Sequence, residues 1–327
     1  ATPLKVVEPV VNRRRERIDK VRALLLHHGY TEVLNQSFSE PERDGRFGTG
    51  RDPVVLRNPI SARASILRTT LAGSLLDTVG YNLRREAAGV HVFEVGNVYF
   101  RSGEQPAEQL TLGLAGLGPL GPGGWDAPGE ETDFFDLKGT CEALMALLRL
   151  VPFDFAAGSC PWLEPDRSLD LTYKGERVGS LGGLRRDLAL RDGLPEAVWM
   201  AEIDLAALLA KSPAAFQTAP VGRFPSVVRD VAFLADRDLQ YQEIRKAVEK
   251  AAPAALESFS LADRYDGEGV PPDRVSLTLR LVFRHPQRTL VADEVDKLEQ
   301  ALLLQLQAAV RVEPRAGGRI DNRTRKN

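Results

Sequence analysis

The run Val275 to Arg284 alternates in side-chain character. Val275, Leu277, Leu279, Leu281 and Phe283 fall on one side of an extended chain, and Ser276, Thr278, Arg280 and Arg284 on the other. An apolar side of this kind packs on helices. The opposite side then presents small and polar groups over which a nucleotide base can lie flat. Stacking of an unpaired base on an aromatic ring contributes roughly 1–3 kcal/mol. Tyr265, at the end of the preceding strand-like run, is the aromatic residue best placed to do this, although it could equally shield a turn, and Ser276 could be no more than an exposed strand residue.

Other chemistries find little support. His27, His28 and His91 have no metal-ligand spacing, and the only cysteines, Cys141 and Cys160, make neither a disulfide framework nor a paired-cysteine zinc site. That cysteine usage fits a reducing compartment. Gly116 to Gly124 lacks the Gly-Lys-Ser/Thr ending of a phosphate-binding loop. His285, before Pro286, reads as a turn residue. The formal net charge is -2, but it is unevenly spread: residues 221 to 327 carry 18 Lys+Arg against 16 Asp+Glu, a net of +2, leaving -4 for residues 1 to 220. Arg311, Arg315, Arg319, Arg323, Arg325 and Lys326 concentrate the positive charge at the end, as a solvated tail or an RNA-contacting one.

The elements that would position these residues follow from periodicity. At 327 residues, 43% hydrophobic and 27% charged, the chain can bury two cores. No apolar run nears the roughly 20 residues needed to span a bilayer, and the first residues lack a secretory signal, so a cytoplasmic location is expected and no membrane partner. Asn12 to His28 reads as a helix ended by Gly29, and Thr70 to Glu86 as a second one with Leu71, Leu75, Leu76, Val79 and Leu83 on one face. Leu110, Leu112 and Leu114 alternate with Thr111, Gly113 and Ala115 as in a half-buried strand. A helix around Cys141, Leu144 and Leu148 and several short strands complete an α+β region with helices expected to one side of an antiparallel sheet. Residues 211 to 222 suit a linker. Beyond it the order strand, helix, strand, strand, long helix is a split βαβ, ferredoxin-like arrangement, for which residues after Val310 are the candidate final strand.

Several strings carry a resemblance. FPSVVRDVAFLAD, then Tyr265 with Gly267-Glu268-Gly269, Ser276-Leu277, Phe283-Arg284-His285-Pro286 and Arg288-Thr289-Leu290, resemble the ferredoxin-fold anticodon-binding domain of phenylalanyl-tRNA synthetases. Upstream, RNPISARASILRTTLAGSLLDTVGYNLRRE, VHVFEVGNVYF, FFDLKG and WMAEIDLAAL are similar to the catalytic-like module of the β-subunit of that family. The resemblance implies an antiparallel-sheet, class II synthetase-like domain over residues 1–210, a linker over 211–222, the anticodon-binding domain over 223–315 and a basic tail over 316–327. It also implies Ala232, Tyr265 and Ser276 around the first anticodon base, with an arginine from the C-terminal end, Arg315 or Arg311, completing the site. Arg280 joins them as a further candidate on the same strand face.

The same resemblance implies a catalytic α-subunit and the phenylalanine tRNA as partners, an (αβ)2 assembly, and ATP and magnesium used by the holoenzyme, with no cofactor in this chain. The helices from Asn12 and from Thr70 are the faces expected to meet the α-subunit. Adenylation needs arginines on the triphosphate. Arg68, in ILRTT, and the arginines of GSLGGLRR are the only lookalikes; Arg68 reads as structural or interfacial, and Gly182-Gly183 as a hairpin turn. No catalytic or metal-binding residue is therefore expected. Two rivals stand: a self-contained monomeric synthetase with its own anticodon-binding domain, and a ferredoxin-like regulatory module. Phe224, Pro225, Arg229 and Asp230 read as structural, the Arg-Asp pair clamping the entry of its strand.

Overall fold

In the computed structural model, residues 12–103, 105–120, 129–195, 197–213 and 222–315 are described. The expected tail at 316–327 and most of the expected linker lie outside them. The chain divides into two compact units, Ala1–Phe216 and Gln217–Asn327.

The first unit begins with α1 (Arg13–His27), capped at its start by Asn12, whose side chain accepts from the Arg15 N–H. Gly29 ends it in the left-handed region (φ +82), so that the Tyr30 and Gly29 N–H groups reach back to Leu25 and Leu26. Then come β1 (Thr31–Glu32), β2 (Phe38–Ser39), the short α2 (Pro41–Gly45), β3 (Ile66–Leu67) and α3 (Ala72–Leu83). The long hairpin β4 (Val90–Ser102) and β5 (Gln105–Leu117) is followed by α4 (Phe134–Leu147), held at its start by the reciprocal bonds of Asp133 and Asp136. The unit closes with β6 (Asp154–Ala157), β7 (Leu163–Tyr173), β8 (Glu176–Leu184), α5 (Arg186–Arg191), β9 (Trp199–Ile203) and α6 (Leu205–Lys211).

Seven strands pair in the order β1-β4-β5-β9-β8-β7-β6, antiparallel except for β1 with β4. Helices cover both faces, not one. Val21 and Leu25 of α1, Leu137 and Leu144 of α4 and Leu205 and Leu208 of α6 bury against Phe93, Leu112 and Leu171. On the other face Leu75 and Val79 of α3 and Leu188 of α5 bury against Val92, Ala115 and Met200. Sheets covered on both sides have strands buried continuously instead of alternately, and Leu112 to Leu117 are all buried. The small residues between the leucines of β5 are not a wet face: a Cβ on Gly113 would lie 2.6 Å from Leu75 Cδ1, so the glycine admits α3. The apolar stripe of α3 is thereby used inside its own unit, with Tyr81 left on the outside.

The Gly182-Gly183 pair is also not a turn. Both residues sit inside β8, where a Cβ on Gly182 would meet the Arg167 carbonyl oxygen at 2.5 Å. The β7–β8 hairpin turns at Lys174 and Gly175, both with positive φ (52 and 80), as a two-residue loop requires.

The second unit comprises β10 (Val227–Asp236), α7 (Tyr241–Ala251), β11 (Leu256–Tyr265), β12 (Arg274–Phe283), α8 (Ala292–Val310) and β13 (Glu313–Pro314). Its strands order as β11-β12-β10-β13, all antiparallel. This is the split βαβ plan, and the last strand, only two residues long, does form. Phe233, Leu279, Leu281 and Phe283 pack under Ile244 and Val248 of α7 and Val295 and Leu302 of α8, so both helices lie on one face. The other face is the open side on which the candidate site residues converge.

Candidate RNA-binding face

Residues directly opposite in antiparallel strands share a face, so the register draws the open face row by row. Tyr265, Ser276 and Leu234 form the first row, Asp263, Thr278 and Ala232 the second, and Ser260, Arg280 and Asp230 the third. Tyr265 stands on this face because of a register shift between Leu261 and Asp263. Leu261 opposes Leu279, a core residue; an unbroken alternation from there would have turned Tyr265 toward the helices. The extra residue reverses the side.

Arg315 crosses the sheet to meet them. Just past β13, its N–H donates to the Ala232 carbonyl (3.2 Å), its Nη1 donates to Ser276 Oγ (3.1 Å), and its guanidinium carbon lies 5.7 Å from the centre of the Tyr265 ring. Ser276 is consequently buried (4% exposed), covered by Arg315, and not the open strand residue the alternation suggested. Tyr265 stays 40% exposed. Its hydroxyl donates to the Glu268 carbonyl at 3.2 Å, and Gly267 leaves room for the ring, since a Cβ there would lie 2.6 Å from that hydroxyl.

Of the two alternative arginines, the structure brings only Arg315 to the cluster. Arg311 terminates α8 in the left-handed conformation (φ 53), its N–H bonded to the Gln307 carbonyl, and the turn it makes sends the chain back along β10. Ala232 lies beside this cluster, half-buried, where a larger side chain would stand above the sheet.

Arg280 sits two residues beyond Thr278 on β12 and is committed to Asp230 through two bonds of 2.8 and 2.7 Å. Arg229, pointing the other way, pairs with Asp296 (3.3 Å) and Glu299 (3.7 Å) of α8. The two neighbours therefore serve opposite faces and do not clamp each other. The Arg280 hydrogen bonds hold the Asp230 carboxyl below the usual carboxylate range. A depressed folded-state value means that the pair's stabilisation is complete above the unfolded value of about 3.9 and fades as pH falls through the folded one. The stability difference between the wild type and Asp230→Asn, small at neutral pH as for other surface pairs, should thus shrink toward zero in acid. Urea midpoints of the two forms at several pH values below 5 check this; a constant gap would detach the effect from ionisation.

Asp263 escaped the sequence reading, since nothing in LADRY marks it. It is exposed on the second row, makes no ion pair among the described residues, and offers acceptor oxygens next to the aromatic ring. Its place depends on the same register shift.

The other candidates are occupied elsewhere. Arg68 is buried against Glu94 at 2.7 Å. Arg185 binds Asp187 through two bonds of 2.9 Å and also donates to the Pro161 carbonyl. His91 Nε2 meets Thr132 Oγ1 at 2.6 Å, and His285 Nδ1 accepts from the Gln287 N–H. Both cysteines are free and buried, and burial pushes each thiol up to about 12, which leaves them unreactive near neutrality.

Residues 3–205 match the phenylalanyl-tRNA synthetase β-chain CLM domain, and residues 222–315 the ferredoxin-fold anticodon-binding domain. Among curated proteins, the phenylalanine–tRNA ligase β subunit of Symbiobacterium thermophilum is 38% identical over 295 residues, covering 88% of this chain and 33% of that protein. That of Thiobacillus denitrificans is 35% identical, covering 87% and 35%, and that of Nitrosococcus oceani 31% identical, covering 94% and 40%. The chain thus spans about a third of the length of the relatives it matches. With one domain match on each compact unit, in the order in which the fold presents them, the chain belongs to the phenylalanyl-tRNA synthetase β-chain family.

Proposed function

We propose that this chain works as part of a phenylalanine–tRNA ligase β subunit, assembling with a catalytic α-subunit and holding the anticodon loop of the phenylalanine tRNA on the open face of its second unit. The observation that supports this best is the convergence of Tyr265 of β11, Ser276 of β12 and Arg315, just past β13, on the sheet face opposite α7 and α8. A base sandwiched between the Tyr265 ring and the Arg315 guanidinium needs two van der Waals contacts of roughly 3.5 Å, about 7 Å in all. With its guanidinium carbon 5.7 Å from the ring centre, Arg315 would move outward to admit a base. Asp263, an acceptor beside that slot, selects a base whose Watson–Crick edge carries two adjacent donors, which is guanine.

In this reading the first unit is a scaffold and not a catalyst: the arginines nearest in pattern to triphosphate ligands, Arg68 and Arg185, are spent on internal partners. ATP and magnesium belong to the holoenzyme, acting in the catalytic subunit of an (αβ)2 assembly in the cytoplasm.

The test is fluorescence anisotropy with an anticodon stem-loop of the phenylalanine tRNA. Binding is expected to weaken steeply with added salt and to drop when the first anticodon base is changed from guanine to adenine, with Asp263→Asn narrowing that discrimination. Equal affinity for the two stem-loops would overturn the assignment of the face to that base.

A further inference from the structure

The first unit holds a cavity of about 270 Å³ at the ends of β5, β8 and β9, with Glu202 in its wall. Its size lies just under the roughly 300–1,000 Å³ typical of drug-sized ligands, which suits a small metabolite and not a nucleoside triphosphate. One carboxylate oxygen of Glu202, Oε2, is fixed by the Thr70 hydroxyl (2.5 Å) and the Leu71 N–H (2.8 Å). The other, Oε1, receives no hydrogen bond among the described residues. Glu202 is half-buried, and a carboxylate with one oxygen anchored and the other open can accept from a ligand's donor.

Two guanidiniums share the wall. Arg51 is held by the Thr69 carbonyl and Gln109, and its field partly offsets the burial that pushes the Glu202 carboxyl above its usual range. Arg177 is held from one side by Ser180 and Asp170, and its Nη1 makes no hydrogen bond among the described residues. Among the described residues no three His, Cys, Asp or Glu side chains converge as metal ligands would, and an ammonium, with three N–H donors, is a positive group that one open carboxylate oxygen can hold. The negative group belongs on Arg177. Val178 contributes the only aliphatic side chain to the wall, which leaves nothing for an aromatic ring to pack on.

We propose that this cavity binds a free α-amino acid with a short polar side chain, its ammonium on Glu202 and its carboxylate on Arg177, independently of the RNA face. Isothermal titration of the purified chain with serine, threonine and glutamine tests it, with N-acetylserine, serinamide and phenylalanine as comparisons. At least one of the three polar amino acids is expected to bind in the millimolar range or tighter. Blocking the ammonium by acetylation, or replacing Glu202→Gln, should each weaken binding about tenfold or more. Arg177→Gln, which also removes the ion pair to the buried Asp170 and is therefore checked for folding by its melting curve, should weaken binding of the free acid and leave that of its carboxamide unchanged. No binding by any of the three, acetylated and free forms binding alike, or phenylalanine binding as tightly as the polar acids would each overturn the proposal.

Discussion

Tyr265→Ala is expected to weaken binding of the anticodon stem-loop by about 5- to 150-fold, the equivalent of the roughly 1–3 kcal/mol that one base–aromatic stack contributes. The ring is 40% exposed and lies at the end of β11, so its removal opens no core cavity and the melting temperature should barely move. Tyr265→Phe separates stacking from hydrogen bonding: it deletes only the bond to the Glu268 carbonyl and should bind RNA nearly as well as the wild type. Arg315→Lys keeps a charge but loses the planar fork that can both lie over a base and reach Ser276, so it falls between wild type and Arg315→Ala. Arg311→Ala should leave affinity unchanged apart from a small loss of charge attraction, because its side chain stands at the helix terminus. Wild-type affinity for Tyr265→Ala, measured by anisotropy at fixed salt, would remove the ring from the interface.

These residues were legible in the sequence to different depths. The alternation in β12 marks its two faces directly, because period two leaves Ser276 and Thr278 no choice once Leu277 and Leu279 are buried. Tyr265 is another matter. Its side is set by a single extra residue in β11, and a one-residue shift carries no local signature in LESFSLADRY; its place at the strand end made it a stacking candidate, and the resemblance of the longer motif grouped it with Ala232 and Ser276. The choice between Arg311 and Arg315 likewise turned on a backbone conformation, the left-handed residue ending α8, which an arginine does not advertise as a glycine does. In the first unit the reading failed where small residues were taken for a solvated face. Gly113 and Ala115 are small because a helix lies on them, and a sheet covered on both sides cannot be told from a half-covered one by leucine spacing alone.

Arg68 gives the larger effect on stability. Its guanidinium is 5% exposed and its partner Glu94 only 2%, joined at 2.7 Å, with Arg68 also donating to the Asn97 carbonyl at 3.1 Å. Glu94 is further held by Asn35 at 2.8 Å, and Asn35 in turn accepts from Thr78. Gly96 makes the space: a Cβ there would lie 2.5 Å from the guanidinium. Arg68→Ala would leave a carboxylate buried without its counter-charge, a change that costs about 3–5 kcal/mol. For a unit of some 200 residues this corresponds to a fall in melting temperature of roughly 6–20 °C. Removing the charge as well, in Arg68→Met with Glu94→Leu, should recover most of the loss, since a buried ion pair is often matched by apolar residues of similar volume. A triphosphate ligand would behave in the opposite way, because a guanidinium poised for substrate has few internal partners and its removal costs activity before stability. Thermal and denaturant unfolding of the single and double variants therefore decides the role: a single variant as stable as the wild type would show that Arg68 is held in reserve for a ligand and does not support the sheet.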